Sequence, residues 1–250
     1  MTHLFLSPHY DDAVYSCGGM IYELSRQGEE VTILTVMAGR PSLPLPDTPV
    51  LKDNHERWQA GHEPIATRRA EDQQAAKILG TKTQYLDIPD CIYRLAKGEA
   101  LYPSEESLWG NVHADDPALA TLQNIDLANV KILYAPMAVG KHVDHQLVRN
   151  WAWDIAKTSS QTVKFYQDYP YMRQKEAIDA ACLFFDEPLL LESIKISEQA
   201  MQQKISAMAA YVSQIHSFWE DEAAIDSEVR QTFTDSNDSD YIECLWVRQS

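Results

Sequence analysis

Leu4-Phe5-Leu6-Ser7-Pro8-His9-Tyr10-Asp11-Asp12-Ala13-Val14 passes from a short apolar run, through a polar turn, into apolar residues at helical spacing. Val14, Cys17, Ile21 and Leu24 fall on one helical face, and Gly28 is placed to stop that helix. Val31 to Met37 follows as a β-branched run that predicts a buried strand. Outward from this unit the alternation continues. Pro64 to Leu79 is helix-forming and stopped by Gly80. Gln84 to Ile88 and Lys131 to Ala135 predict strands, and the second feeds a helix from Val143 to Lys157. Strands alternating with helices predict an α/β fold, a Rossmann-like three-layer sandwich around a mostly parallel sheet.

The later chain predicts strands at Val163 to Gln167 and Ala181 to Phe185, then a long helix with apolar positions from Met201 to Ile215 and Ser197 as its N-cap. Tyr241 to Val247 is the expected closing strand. Two segments stand apart. Residues 39–63 carry Pro41, Pro44, Pro46 and Pro49 and predict a long insert loop, and the acidic residues 220–240 predict a solvated loop. At 250 residues, one α/β domain over 1–250 is the expectation.

With 21 Lys+Arg against 37 Asp+Glu the net charge is −16, which argues against nucleic acid and anionic membranes as partners. No stretch approaches the roughly 20 apolar residues of a membrane span. The first residues lack the basic start of a signal peptide, and the four cysteines are scattered, so a cytoplasmic protein with reduced thiols is expected.

Two clusters can carry chemistry. His9 and Asp12 lie three apart in a turn at a strand's carboxyl end, where an imidazole and a carboxylate can converge on one ion; alternatively one aspartate of the Asp11-Asp12 pair caps the helix. Gly140-Lys141-His142-Val143-Asp144-His145-Gln146 also follows a strand and opens a helix, with His142 and His145 on one face or simply on the surface. Together the rims offer His, Asp and His, the three N/O ligands of a catalytic zinc site with one position left for water. Rival motifs fail: Gln59 stands where a zincin helix needs histidine, and Gly140-Lys141 lacks the glycine and hydroxyl residue of a phosphate loop.

These clusters make the sequence resemble the LmbE-like, or PIG-L-type, metal-dependent N-deacetylases. Cys17-Gly18-Gly19, Arg68-Arg69-Ala70-Glu71-Asp72, Tyr166 to Tyr171 and Lys204 to Gln214 support the resemblance in the expected order. Tyr10, for the family's usual proline, and Ala13, for an acidic residue, depart from it outside the ligand positions. The resemblance implies a zinc-dependent hydrolase removing the N-acetyl group from an N-acetylglucosamine-type amino sugar by metal-activated water. It implies zinc on His9, Asp12 and His145, Asp11 as general base, and His142 as an imidazolium that stabilises the oxyanion. Either Asp11 or His142 would protonate the leaving amine. Arg68 would bind sugar hydroxyls or phosphate, or else pair with Asp72. Asp90 would bind substrate hydroxyls, or merely shape the turn after Pro89. Asp144 would hydrogen-bond a ligand histidine from behind, or sit at a helix amino terminus. Iron, cobalt or manganese suit the same donors. The alternatives are an amidase cleaving another amide of a sugar–thiol conjugate, and a non-catalytic sugar- or nucleotide-binding protein on the same fold.

Overall fold

The computed structural model describes residues 2–58, 63–127, 129–219, 221–235 and 240–249. In chain order β1 (Thr2–Ser7), α1 (Asp12–Arg26), β2 (Glu30–Thr35), α2 (Pro49–Trp58), α3 (Pro64–Leu79) and β3 (Lys82–Tyr85) form the first half. A hairpin of β4 (Leu95–Ala96) and β5 (Glu99–Ala100) leads to short helices α4 (Glu105–Leu108) and α5 (Pro117–Gln123). Then come β6 (Ile132–Pro136), α6 (Val143–Thr158), β7 (Thr162–Tyr166), α7 (Lys175–Cys182) and β8 (Leu189–Ile196). Helices α8 (Glu198–Met208), α9 (Val212–Phe218) and α10 (Glu222–Phe233) precede β9 (Tyr241–Arg248).

The main sheet runs β3-β2-β1-β6-β7-β9-β8. Strands β3 through β7 pair in parallel, while β9 and β8 join antiparallel at one edge. The strand order reverses between β1 and β6, whose register pairs His3 with Ile132, Leu4 with Leu133 and Phe5 with Tyr134. In a doubly wound sheet that reversal opens a crevice at the carboxyl ends of the two strands. Residues 3–7 of β1 are all buried, because helices cover both faces. Helix α1 lies on one face with α3 and α8, and α6 on the other; α3 ends at Gly80, whose φ of 69° supplies the left-handed cap.

The sequence pattern misleads in five stretches. Residues 181–185 are not a strand. Ala181 and Cys182 close α7, and Ala181 and Phe185 bury together four residues apart, a spacing that a short apolar run shares with a strand. The strand that edges the sheet is β8, whose Leu190 and Leu191 are half exposed and hide the alternation. The expected long helix breaks at Ala209–Tyr211 into α8 and α9, with Ser197 capping α8 by accepting the Ala200 amide. The two inserts are partly helical: α2 stands in 39–63, and α10 in 220–240 buries Ile225, Val229 and Phe233. Residues 59–62, 220 and 236–239 of those inserts lie outside the described residues. Among the described residues no helix is long and apolar enough to cross a membrane.

Two buried polar anchors fix α1 and α3. Glu243 of β9 accepts the Gly19 and Met20 amides at 3.0 and 2.8 Å and pairs with Lys204 Nζ at 2.7 Å. A Cβ on Gly19 would run into the tip of the Ile196 side chain, so the helix packs closely on β8 there. Asp72 of α3, fully buried, accepts the Tyr85 and Tyr211 hydroxyls at 2.8 and 2.9 Å. Burial outweighs those two donors and pushes its carboxyl from 3.8 up to about 7. The folded state thus keeps a proton that the unfolded chain releases near pH 3.8. This contribution to stability is whole below that pH and is lost as pH rises to about 7, at up to about 1.4 kcal/mol per pH unit. Asp72→Asn should lack it. The wild-type minus variant difference in urea unfolding free energy should fall between pH 4 and 7 and level off above.

Candidate active site

Ser7 shapes the turn that leaves β1. Its hydroxyl donates to the His9 carbonyl at 2.5 Å and accepts the Ala13 amide at 3.0 Å. Asp12 Oδ2 accepts the His9 amide at 2.7 Å, which draws this carboxylate back over the turn beside the His9 ring. Asp11 occupies the N-cap position of α1 but accepts no capping bond, so its carboxylate is left for the cavity. The turn leaving β6 is tighter. Ala138, Gly140 and Lys141 all have positive φ (58°, 87° and 68°), a cost concentrated at one functional loop. A Cβ on Gly140 would meet the Tyr171 ring at 3.0 Å. His142 caps α6 by accepting the Asp144 amide on Nδ1 at 3.3 Å.

The two turns bring three donor atoms together. Asp12 Oδ2 lies 3.2 Å from His9 Nδ1 and 3.3 Å from His145 Nε2. Zinc bonds of about 2.0–2.1 Å at tetrahedral angles set neighbouring donors about 3.3 Å apart, so each imidazole stands from Asp12 Oδ2 at the spacing of two ligands to one ion. Each imidazole is oriented from behind: His9 Nε2 is 3.0 Å from Asp144 Oδ2, and His145 Nδ1 is 2.6 Å from Asp168 Oδ1. A carboxylate on the far nitrogen fixes the tautomer that presents a lone pair forward. Desolvation opposes charge on His145, yet Asp12 and Asp168 carry it up to about 9. The pocket therefore favours positive charge where the donors meet. His142 offers a further imidazole within 4.8 Å of His9 and His145.

Asp144 is fully buried and saturated. Besides His9 it accepts the Cys91 amide at 3.0 Å and Arg94 Nη2 at 2.5 Å. Arg94 also bonds Asp116 at 3.0 Å, and Tyr102 donates to Asp116 at 2.7 Å. Nothing local in the sequence marks this buried chain of charges, because Arg94 stands just ahead of an ordinary hairpin. Asp168 was within reach of sequence reasoning: it follows β7, the next strand beyond β6, on the same rim of the sheet.

Above the donors opens a cavity of about 180 Å³. Asp11, Arg68, Asp90 and His142 line it, as do Trp109 and Tyr171. Tyr169 is instead buried in the core, its hydroxyl bonded to Glu228. Arg68 does not pair with Asp72; its Nη2 reaches Asp11 Oδ1 at 3.4 Å, and its guanidinium lies 4.7 Å over the Trp58 ring. Asp90 shapes the turn after Pro89, Oδ1 accepting the Ile92 amide at 3.2 Å, while Oδ2 stands 3.6 Å from His9 Nε2 at the cavity. Burial, with His9 nearby, holds His142 well below the usual histidine range, and its Nδ1 accepts the Asp144 amide.

Residues 4–156 match the family profile described as PIG-L, GlcNAc-PI de-N-acetylase. The chain belongs to the PIG-L family. Two curated relatives are both named 2′-N-acetylparomamine deacetylase. The one from Niallia circulans is 34% identical over 188 residues, 68% of this chain and 68% of the relative. The one from Streptomyces fradiae is 31% identical over 215 residues, 84% of this chain and 72% of the relative. The solved zinc-inhibited form of teicoplanin deacetylase Orf2 has the same fold, with a TM-score of 0.81 at 24% identity over 100% of this chain and 99% of that one. In this PIG-L chain, Asp144→Ala would strip Arg94 and His9 of a shared buried partner. It should cost about 3–5 kcal/mol in the urea unfolding free energy of the metal-free protein.

Proposed function

We propose that this chain is a zinc-dependent hydrolase that removes the N-acetyl group from an N-acetylglucosamine-type amino sugar or glycoconjugate. The observation that carries the reading is Asp12 Oδ2 standing 3.2 and 3.3 Å from two imidazole nitrogens beneath a cavity that Asp11 lines. The names of the curated relatives support an amino-sugar amide as the substrate. His9, Asp12 and His145 are the residues that hold the ion. When bound, a divalent ion polarises the amide carbonyl and lowers the pKa of water to about 7.

The protein's own groups divide the remaining work. Burial raises the Asp11 carboxyl above the usual carboxylate range against the pull of Arg68, which makes it a stronger base toward the attacking water. Arg68 Nη2, 3.4 Å away, keeps that carboxylate turned to the cavity. His142, neutral and with Nδ1 engaged, has its proton on Nε2 and donates it as a hydrogen bond to the carbonyl oxygen as charge develops there. A neutral donor stabilises that oxygen without having to give up its proton. The leaving amine therefore receives its proton from Asp11, which gained one in the first step. Asp90 and the free edge of Arg68 meet substrate hydroxyls. We take the setting to be the cytoplasm and the partner a small molecule, not nucleic acid or membrane; the net charge of −16 supports this.

Acetate release from N-acetylglucosamine and 2′-N-acetylparomamine should be rapid with zinc and abolished by a chelator. Asp11→Asn should keep its zinc and lose about 10²- to 10⁴-fold in kcat. His145→Ala should fall well below one zinc per chain by elemental analysis. Chelator-resistant turnover, or an active Asp11→Asn enzyme, would refute the assignment.

A further inference from the structure

The cavity wall includes polar side chains of α9 and α2 that the hydrolysis itself does not use. Two of its atoms are buried without a hydrogen-bond partner among the described residues, Ser217 Oγ of α9 and Arg68 Nε of α3. Both residues line the cavity, together with Gln214 of α9 and Asn54 of α2. Gln214 is 4% exposed; its amide nitrogen donates to Ser213 Oγ at 2.9 Å, leaving the amide oxygen as its free acceptor. Asn54 Nδ2 is likewise committed, to the Val50 carbonyl at 2.8 Å. Trp58, under the Arg68 guanidinium, and Phe218 also line the cavity, while Trp109 and Tyr171 stand 5.4 Å apart between ring centres and adjoin His142 and His145.

This wall is held in place. At the break before α9, Tyr211 Oη lies 2.9 Å from both the Tyr10 carbonyl oxygen, next to Asp11, and Asp72 Oδ1, which share its one proton. Ser213 bonds Glu71 of α3 through its amide at 2.8 Å and its hydroxyl at 2.6 Å. The first turn of α9 is thereby tied to the segment that carries the base.

We propose that Gln214 and Ser217, with Asn54, form a subsite for a hydroxyl-bearing ring joined to the acetamido sugar. The inference rests on the deacetylase reading and adds to it which side chains read the second ring. Two amide oxygens, one hydroxyl and one guanidinium N–H suit a partner that both donates and accepts. A sugar or cyclitol hydroxyl does both, whereas a phosphate only accepts and an ammonium only donates. Buried polar groups left unpaired by a smaller substrate discriminate strongly in favour of the one that pairs them.

The test is the ratio of kcat/KM for 2′-N-acetylparomamine, two rings, to that for N-acetylglucosamine, one ring. Gln214→Leu and Ser217→Ala should each lower that ratio at least about fivefold, the size of one neutral hydrogen bond, with the change carried by KM. Ser217→Ala removes a single oxygen and keeps the test open should Gln214→Leu fold poorly. An unchanged ratio in the folded variants overturns the subsite alone. No acetate from either sugar with wild-type protein overturns the deacetylase reading, and the subsite with it.

Discussion

The parallel pairing of β1 with β6 is the constraint from which the site follows. Its register sets Phe5 beside Tyr134, so both strands end at the same height and release their turns into one crevice. His9 and Asp12 come from one turn, His142 and His145 from the other, some 130 residues later. A slip of one residue would shift one turn by about 3.3 Å along the sheet and invert the faces of the strand. Donors now 3.3 Å apart would then no longer meet. Continuous burial along β1 opposes such a slip, because its apolar residues would exchange one packed layer for the other.

Local convergence is not enough, since imidazoles turn freely about their own axes. What fixes them is a shell of buried carboxylates. Asp144 and Asp168 each hold the far nitrogen of one histidine, and Arg94, itself bonded to Asp116, in turn holds Asp144. Burying several carboxylates near one another is unfavourable unless positive charge is supplied. Arg94 supplies part of it, Arg68 a further part beside Asp11, and the two imidazoles take up protons for the remainder. A divalent cation would replace those protons.

Legibility in the sequence followed range. The strand–turn–helix units around His9 and His142, the α3 stop at Gly80 and the Ser197 cap are encoded within a few residues, and the sequence displayed them plainly. Where the deciding contact is remote, the sequence was silent. The break before α9 exists because Tyr211 turns to meet Tyr10 and Asp72, which a run of apolar residues at helical spacing does not disclose. Acidic residues around α10 mask a buried stripe of Ile225, Val229 and Phe233, whose burial depends on α8 and β9 packing over it. Arg94 gains its role only by meeting Asp144, and Asp116 only by meeting Arg94.

Asp11 and Asp12 are adjacent, yet their surroundings drive them apart. Burial disfavours ionisation of both. For Asp12 it is overcome by His145 and His9, which hold that carboxyl well below the usual range. For Asp11 the single guanidinium of Arg68 does not overcome burial, and the neighbouring Asp12 charge adds to it, so the carboxyl is raised. Two titratable groups pushed in opposite directions mark a division between a charge held permanently and a charge that changes hands. The helix geometry enforces the division: consecutive residues at the start of α1 point about 100° apart, so one carboxylate faces the imidazoles and the other the cavity. Neither aspartate can take the other's part without unwinding the first turn of that helix.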